Sequence, residues 1–395
     1  MPPLPELERA DPNERFRARR TQARRRRRLR SAAALGALVT AAAIVALGAT
    51  VIGTHHSTGS AEPQAKGVKK KLRSAGPRAL PTEVRGVHVT MALASIPGKI
   101  DEYLALQGLN TLEVDVKDES GAIGFPMPNW TLARQVGASK QYYKASRVAD
   151  KAHKAGVYLI GRVVVFEDPV LTSERPDLAI RTTGGSVWQN DAGLGWSNPY
   201  DRRVWKYVVT IGKAAARAGF DEIQFDYVRF PTDGDVDAIV YPGKTTTPPG
   251  WVIAEFAHYA TKRLKPLGVR VSTDLFGLAA TRDLGIGQVP RRLAKYVDAI
   301  YPMVYPSHFG SGEYGLEEPN DAPGATVEWS LSDFRQELKK GKAELIPWLQ
   351  DFSYGRTYKL ADVRAQIDAA RLMGARGYLL WNPLGIYTPG ALAPA

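Results

Sequence analysis

The chain has 395 residues, of which 44% are hydrophobic, and a formal net charge of +13 from 53 lysines and arginines against 40 acidic residues. This length and apolar content exclude a disordered chain and allow one large domain or two ordinary ones. The sequence contains no cysteine, which excludes disulfide frameworks, thiolate zinc sites, iron–sulfur clusters and cysteine nucleophiles.

The positive charge lies almost entirely before residue 85. Residues 1–30 carry a net +7 and residues 54–84 a net +4, so only +2 of the total +13 is left for residues 85–395. A basic chain often indicates nucleic-acid binding, but that interpretation needs a basic patch on the folded part. The nearly neutral region after residue 85 therefore predicts no nucleic-acid partner.

An apolar segment follows the basic N-terminus. Residues 31–53 contain no charge and follow five consecutive arginines at positions 24–28, a flank that favours a cytoplasmic N-terminus. As a helix at about 1.5 Å per residue, this segment can cross a hydrocarbon core of roughly 30 Å. We expect a cytoplasmic tail over 1–30, a retained transmembrane signal anchor over 31–53, and a flexible linker over 54–84 that leaves the rest of the chain outside the cell membrane. Secretion after signal cleavage is the alternative.

Eight apolar, strand-like runs alternate with helical stretches from residue 85 onwards. The predicted strands are 85–90, 111–117, 157–166, 221–228, 269–275, 297–305, 344–350 and 377–382. Helical candidates, in which small and apolar residues recur at three- and four-residue spacing, are 141–155, 201–218, 251–265 and 361–373. Strands that alternate with helices predict parallel strands joined by crossover helices.

Short and long connections also alternate along this pattern. Five glycines, each between a helical stretch and the next strand, indicate left-handed helix ends: Gly108, Gly156, Gly219, Gly268 and Gly374. The strand-to-helix connections are long, notably 118–140, 167–200, 229–250 and 306–331. This asymmetry is typical of a (β/α)8 TIM barrel with a site on one face, and we expect that α/β fold over residues 85–395. A doubly wound open sheet is the alternative, but no strand precedes a G-x-G-x-x-G motif.

Carboxylates recur on the inward face of the predicted strands. In a barrel, alternate residues of each strand face the interior, and those at the C-terminal ends reach the active face. This alternation sends Asp226 inward on the fourth strand and Asp274 inward on the fifth. Cleavage of a glycosidic bond requires two such groups, one as proton donor and one as nucleophile or base. We assign Asp226 as the candidate nucleophile and Asp274 as the candidate proton donor. The reserves are Asp115, Asp118, Glu167 and Asp351.

The same alternation, with an allowance for one-residue errors near strand ends and for residues just beyond them, supplies candidates for substrate binding. They are His88, Asp115, Lys117, Asp118, Arg162, Arg229, Tyr301, Tyr305, Gln350, Asp351 and Trp381. Aromatic rings and polar groups at strand ends suit a carbohydrate, and His88 is expected to donate a hydrogen bond to a sugar hydroxyl. For a single buried charge, an internal ion pair such as Asp115 with Lys117 or Arg162 is an equal alternative.

Other chemistries find less support. No G-x-S-x-G motif indicates a serine hydrolase, and the six histidines lack the pairing that a zinc site needs. Nothing resembles a calcium loop. We therefore expect neither a metal nor a cofactor.

Six stretches carry a resemblance to a known family. They are RGVHVT at 85–90, LEVDVKDESG at 112–121, DEIQFDYVRFP at 221–231, STDLFG at 272–277, YPMVYPSHFG at 301–310 and WLQDF at 348–352. Together they resemble the bacterial "putative glycoside hydrolase" barrel domain family, which is distantly similar to the alpha-amylase-type glycosidases. The resemblance implies a (β/α)8 barrel and a carbohydrate-directed role over nearly all of residues 85–395.

In alpha-amylase-type enzymes the nucleophile is an Asp on the fourth strand and the acid a Glu on the fifth. Asp226 matches the first, whereas the fifth strand has Asp274 in place of Glu, and Gln224 stands where those enzymes have an arginine. The expected function is hydrolysis of a glycosidic bond in a cell-surface or environmental polysaccharide. A catalytically silent barrel that anchors or senses wall polymer is the alternative, because it would share the aromatic residues without needing the carboxylate pair.

Overall fold

The computed structural model describes residues 78–394 and contains a closed barrel of eight parallel strands. Each strand pairs with the next along the chain, and the last pairs with the first, where Gly377 lies opposite Val84. The strands are β1 Val84–Val89, β2 Thr111–Lys117, β3 Tyr158–Val164, β4 Glu222–Asp226, β5 Arg270–Phe276, β6 Ala299–Val304, β7 in two pieces, Glu344–Leu345 and Trp348–Gln350, and β8 Gly377–Trp381. The predicted (β/α)8 barrel and its eight strands are confirmed.

Ten α-helices accompany the strands in this part of the chain. They are α1 Met91–Ser95, α2 Lys99–Leu104, α3 Leu132–Gln135, α4 Ala145–Lys154, α5 Pro169–Glu174, α6 Arg202–Ala218, α7 Pro249–Leu264, α8 Pro290–Leu293, α9 Pro323–Leu338 and α10 Leu360–Leu372. The four helices predicted from periodicity, α4, α6, α7 and α10, are confirmed. Helix α9 begins inside the predicted connection 306–331. The sequence prediction missed this start because a Pro-Gly pair usually indicates a turn, whereas proline is also favourable at the first position of a helix. A short ribbon pairs Arg181–Thr182 with Ile239–Val240.

The short helix-to-strand turns depend on glycine. All five glycines predicted to end helices have positive φ angles, from 69° at Gly374 to 107° at Gly219. Residues with a Cβ are strained in this conformation, so glycine lets each helix end and the next strand begin within a few residues. The long strand-to-helix loops therefore gather at the opposite, C-terminal face of the barrel.

The deeper layer of the barrel interior is closed, and the buried carboxyl of Glu222 lies there, where it accepts a hydrogen bond from the Tyr158 hydroxyl at 3.0 Å. The apolar residues of the layer are Val84, Tyr158, Ile160, Ala299, Tyr301, Ile346, Trp348 and Leu379. A larger apolar cluster lies between the strands and the helices. The interior is therefore a packed core and not a pore. Tyr301, a predicted substrate contact, belongs to the closed layer and is fully buried, because its inward position lies too deep in β6 to reach the mouth.

A β-bulge removes Lys117 from the interior. Strict alternation predicts Lys117 on the same face as Asp115, but the register of β2 against β3 shifts between these residues, and Lys117 lies opposite Val163. Its buried Nζ contacts Asp168 Oδ2 at 3.1 Å and the carbonyl oxygen of Val164 at 3.0 Å. The extra residue of a bulge reverses the alternation, so the predicted inward position of Lys117 is wrong.

The N-terminal predictions fall on a different part of the chain. The expected cytoplasmic tail, the signal anchor and most of the linker lie outside the described residues and stay predictions. Among residues 78–394, no helix combines the length and the apolar character that a membrane crossing requires.

Replacement of Gly377 by alanine tests the closure of the barrel between β8 and β1. A Cβ on Gly377 would lie 2.1 Å from the oxygen and 2.3 Å from the nitrogen of Val84, at a φ of 135° that L side chains rarely adopt. Because backbone would have to move, we expect Gly377→Ala to lower the free energy of unfolding in urea by about 3 kcal/mol.

Gly374→Ala is the matched control for this substitution. Its φ is 69°, and an added Cβ would meet no atom within 4 Å, so only backbone strain of about 1–2 kcal/mol applies. Equal losses in the two variants would contradict the described pairing of β8 with β1.

Candidate active site

The guanidinium of Arg162 lies in the barrel mouth and binds three carboxylates. Its Nη1 donates to Asp115 Oδ1 at 2.8 Å, and its Nε and Nη2 donate to Asp226 Oδ2 at 3.0 and 2.6 Å. Nη2 also donates to Glu119. These partners come from β2, the following loop and β4. One buried cation therefore joins three elements through charge-assisted hydrogen bonds.

Glu119 is the solvent-accessible member of this group. Its side chain is 37% exposed, whereas Asp115 and Asp226 are buried. Burial opposes ionisation of Glu119, but Arg162 outweighs it and lowers the pKa of this carboxyl to about 2. For Asp115, burial raises the pKa in spite of the neighbouring cations. Sequence reasoning missed Glu119, because it follows the end of β2 in a loop, where strand alternation makes no prediction.

His88 is enclosed by two carboxylates. Its Nδ1 contacts Glu113 Oε2, and its Nε2 lies 3.6 Å from Asp115 Oδ2. Burial opposes the charged imidazolium, but Glu113 and Asp115 outweigh burial and raise the pKa of His88. Both ring nitrogens thus face protein carboxylates, where the sequence predicted a bond to a sugar hydroxyl.

Asp274 lacks a cationic partner within the described residues. Gln224 Nε2 and Trp348 Nε1 both donate to its Oδ1, at 2.5 and 2.9 Å. Its Oδ2 is buried and has no hydrogen-bond partner among residues 78–394. Burial, followed by the charge of Asp226, raises the pKa of Asp274 well above its ordinary value. Such an environment favours the protonated form of a carboxyl group, which can donate its proton.

Asp226 accepts hydrogen bonds on both carboxylate oxygens at a strained turn. Its Oδ2 accepts the two bonds from Arg162, and its Oδ1 accepts the backbone N–H of Tyr227 at 2.6 Å. Tyr227 has a φ of +50°, a conformation that costs a non-glycine residue about 1–3 kcal/mol. The chain therefore turns sharply after β4, and this turn directs a backbone donor at the Asp226 carboxylate.

Five aromatic side chains line the mouth on the side of β6, β7 and β8. We define this aromatic wall as Tyr305, His308, Phe352, Tyr354 and Trp381. Tyr305 and Trp381 stack at 5.0 Å with 29° between their planes, and Phe352 meets Trp381 edge-on at 5.0 Å. His308 lies 6.0 Å from both Phe352 and Tyr354. Tyr354 is 55% exposed, so the aromatic wall extends to the solvent.

Tyr305 links the aromatic wall to the carboxylates. Burial raises its pKa well above the ordinary value, and the neighbouring acidic groups Asp274 and Asp226 raise it further. The side chain of Gln350, a predicted substrate contact, supports the wall instead. Its Oε1 accepts the backbone N–H and hydroxyl of Ser307 at 3.1 and 2.9 Å, and its Nε2 donates to the carbonyl of Phe352 at 2.9 Å.

Two further predicted contacts hold loops. Asp351 is buried and accepts hydrogen bonds from the backbone and the hydroxyl of Thr388 at 2.8 and 2.5 Å. Asp118 accepts from the backbone N–H groups of Ser120 and Ala122 at 3.0 and 3.2 Å and so closes a turn. These two carboxylates do not point into the mouth, because local hydrogen-bond donors already occupy their oxygens.

Arg229 and Glu167 lie at the C-terminal ends of β4 and β3. Arg229 is 6% exposed and is surrounded by aromatic rings. Glu167 Oε2 accepts from Asn190 Nδ2 at 2.9 Å, and burial raises the pKa of Glu167 to about 7 although the charge of Arg229 opposes this. Arg229 was a predicted substrate contact and Glu167 a reserve acid, and both lie on the catalytic face.

Comparison with known proteins identifies a family over most of the chain. The family described as "Putative glycosyl hydrolase domain" matches residues 86–387. Among curated proteins, no sequence matches the chain.

Three solved structures are similar to the barrel. A hypothetical protein from Ruminiclostridium thermocellum ATCC 27405 is 33% identical, with 48% of this chain and 96% of that chain covered and a TM-score of 0.42. The PgaB (BpsB) glycoside hydrolase domain from Bordetella bronchiseptica is 14% identical, with coverage of 76% and 94% and a TM-score of 0.54. The C-terminal domain of a "putative chitinase" from Desulfitobacterium hafniense DCB-2 is 9% identical, with coverage of 78% and 96% and a TM-score of 0.50. At such identities, the last two show a common fold.

Substitution of Arg162 by glutamine tests whether its charge stabilises the mouth. Removing one partner of a buried ion pair leaves uncompensated charges, so we expect Arg162→Gln to lower the free energy of unfolding by about 3–5 kcal/mol at pH 7. The buried carboxylates left behind would have folded-state pKa values above their unfolded ones. The loss should therefore shrink as the pH falls and these groups take up protons. Urea denaturation at pH 7 and pH 4 measures both effects.

Arg202→Gln is the control, because Arg202 pairs with Glu255 at the surface, where the side chains are 58% and 48% exposed. An exposed pair contributes about 0–1 kcal/mol. A loss for Arg162→Gln no larger than that of the control, or one that grows on acidification, would contradict the described role of Arg162.

Proposed function

The chain belongs to the family of "putative glycosyl hydrolase" domains, and from this premise we propose that it hydrolyses a glycosidic bond by means of Asp274 and Asp226. Asp274 donates the proton to the leaving oxygen. Asp226 attacks or stabilises the anomeric carbon on the other side of the scissile bond. The substrate is a polysaccharide of the cell surface or the environment.

The observation that carries this proposal is the contrast between the surroundings of the two carboxyl groups. Asp226 has a guanidinium on one oxygen and a backbone N–H on the other. Asp274 has only uncharged donors, both on one oxygen, and the pKa is raised by burial and by Asp226. Glycosidases need one protonated and one ionised carboxyl at the same pH, and environments that separate their proton affinities provide this.

The aromatic wall supports a carbohydrate substrate. Sugar rings present apolar C–H faces that pack on aromatic surfaces, while their hydroxyls need polar partners nearby. Tyr305 and Trp381 offer such a stacked surface beside the carboxylates. Gln350 fixes the loops that carry the aromatic wall, so the surface is already formed before a ligand arrives, which reduces the entropy lost on binding.

The N-terminal sequence supports a location of the barrel outside the membrane. An uncharged segment over residues 31–53 after a run of arginines supports a single-pass anchor with a cytoplasmic N-terminus. The barrel then acts outside the membrane, within reach of wall or environmental polymers. Secretion after signal cleavage would give the same substrate access.

Substitution of the two carboxylates tests the mechanism. Wild-type protein is screened on a panel of polysaccharides for release of reducing ends, and the substrate found is then used for the variants. We expect Asp274→Asn and Asp226→Asn each to lower kcat/KM by about 10²- to 10⁴-fold. Because Asp274 must be protonated and its pKa is raised, wild-type activity should persist above the pH at which an exposed Asp ionises and fall as the pH rises further.

Asp351→Asn is the matched control, since Asp351 is a buried carboxyl at the same end of the barrel that holds Thr388. Wild-type activity in Asp274→Asn or Asp226→Asn would overturn the assignment. Binding of a polysaccharide by the wild type without turnover would favour a silent carbohydrate-binding barrel.

The anchor is tested by cell fractionation. We expect the full-length protein to sediment with membranes and to be digested by protease added to spheroplasts, because the barrel lies outside. Deletion of residues 31–53 should leave it in the cytosol. A full-length wild-type chain in the cytosolic fraction would contradict anchoring, and a shortened chain in the medium would indicate signal cleavage.

A further inference from the structure

Arg229 is enclosed by a cage of three aromatic rings. Its guanidinium carbon lies 4.8 Å from the ring centres of Tyr227 and Phe276 and 5.0 Å from that of Trp196. The residue is 6% exposed, and burial lowers its pKa. A desolvated cation is costly unless opposite charge and hydrogen bonds compensate it.

The protein compensates only part of this charge. Nη1 donates to the carbonyl of Phe230 and to Thr232 Oγ1, both at 3.2 Å. Nε and Nη2 donate to no residue in the range 78–394. Both nitrogens remain accessible to solvent. No carboxylate of that range forms an ion pair with Arg229. This contrasts with Arg162, whose nitrogens are occupied by three carboxylates.

The two nitrogens of Arg229 that donate to no described residue have a geometry that suits one kind of ligand. Nε and Nη2 form one edge of the planar guanidinium, with two parallel N–H groups. This edge matches the two oxygens of a carboxylate in a bidentate arrangement. The bond from Nη1 and the surrounding rings fix the orientation of the edge, so little side-chain entropy remains to be lost on binding.

The cage adjoins the candidate catalytic carboxylates. Tyr227 follows Asp226 directly, and Phe276 lies two residues after Asp274 at the end of β5. The charge of Asp226 also acts on Arg229, so a ligand group held by Arg229 would lie on the side of the mouth that carries the candidate nucleophile.

We propose that Arg229 is a substrate-specificity residue that binds the carboxylate of an acidic sugar through its Nε and Nη2. The inference deepens the proposed function, on which it rests, by assigning the substrate to acidic polysaccharides. The tyrosine, phenylalanine and tryptophan of the cage exclude water and so strengthen the ion pair.

Glu167 modulates this site through its charge. Arg229 is the largest opposing influence on the Glu167 carboxyl, whose pKa burial raises to about 7. Below this pH Glu167 is neutral, and the acids whose charge still acts on Arg229 are Asp226 and Asp233, so the guanidinium attracts a ligand carboxylate more strongly than at higher pH. Above it, the Glu167 anion repels the ligand. The other polar or charged groups that face Glu167 are Asn190, Glu119, Asp233 and Lys117.

Binding of simple sugars to the full-length protein tests the proposal without turnover. Calorimetry at pH 6 compares glucuronate, galacturonate and N-acetylmuramate with glucose, galactose and N-acetylglucosamine at equal ionic strength. We expect at least one acidic sugar to bind about tenfold more tightly than its neutral counterpart, as a charge-assisted bidentate pair implies. Arg229→Gln should abolish the preference. Arg263→Gln, which removes an arginine stacked on Tyr259 at 3.5 Å on α7, should retain it.

The inference is overturned if the wild-type protein binds acidic and neutral sugars equally well. It is also overturned if Arg229→Gln keeps the preference for acidic sugars. If Arg229→Gln does not fold, Glu167→Gln decides, because it leaves Arg229 intact. Affinity of the wild type for the acidic sugar should fall as the pH rises from 6 to 8 and stay constant in Glu167→Gln, and equal pH dependence in both overturns the inference. A failed hydrolysis screen would count against the proposed function and leave this binding result unaffected.

Discussion

The ion pairs of Arg162 with Asp115, Asp226 and Glu119 are the interaction on which the chemistry of the barrel mouth depends. Parallel strands direct their polar ends to one face, and this concentrates carboxylates whose mutual repulsion needs compensation. Arg162 compensates the carboxylates of β2, its loop and β4, but it does not bond to Asp274 on β5. Burial and the charge of Asp226 therefore raise the pKa of Asp274, which accepts hydrogen bonds only from the uncharged Gln224 and Trp348. One cation thus leaves two carboxyl groups on neighbouring strands in different electrostatic surroundings.

The mouth is divided into sectors by the chemistry of the strands. The side of β1 to β3 carries the paired charges of His88, Glu113 and Arg162, which hold the framework in place. The ends of β4 and β5 carry the carboxyl pair and the Arg229 cage. The side of β6 to β8 carries the aromatic wall. A polymer that crosses this mouth would meet apolar stacking surfaces, then Asp274 and Asp226, and then the Nε and Nη2 edge of Arg229.

The fold could be predicted because it depends on local patterns. Apolar runs located all eight strands, and five glycines located helix ends at which the structure has positive φ. Alternation also indicated that Asp226 and Asp274 face the interior. It could not show the bulge that turns Lys117 outward, the depth at which Tyr301 is sealed, or the loop contacts that occupy Gln350. Glu119 lies beyond the end of β2, where no periodicity applies, and only the folded loop brings it to Arg162.

The central claim is that Asp274 is protonated and Asp226 is ionised at neutral pH in the same mouth. Infrared difference spectra at pH 7 between the wild type and each of Asp274→Asn and Asp226→Asn test it most directly. The account predicts loss of a protonated carboxyl band in Asp274→Asn and loss of a carboxylate band in Asp226→Asn. Loss of a carboxylate band in Asp274→Asn, or of a protonated band in Asp226→Asn, would contradict it.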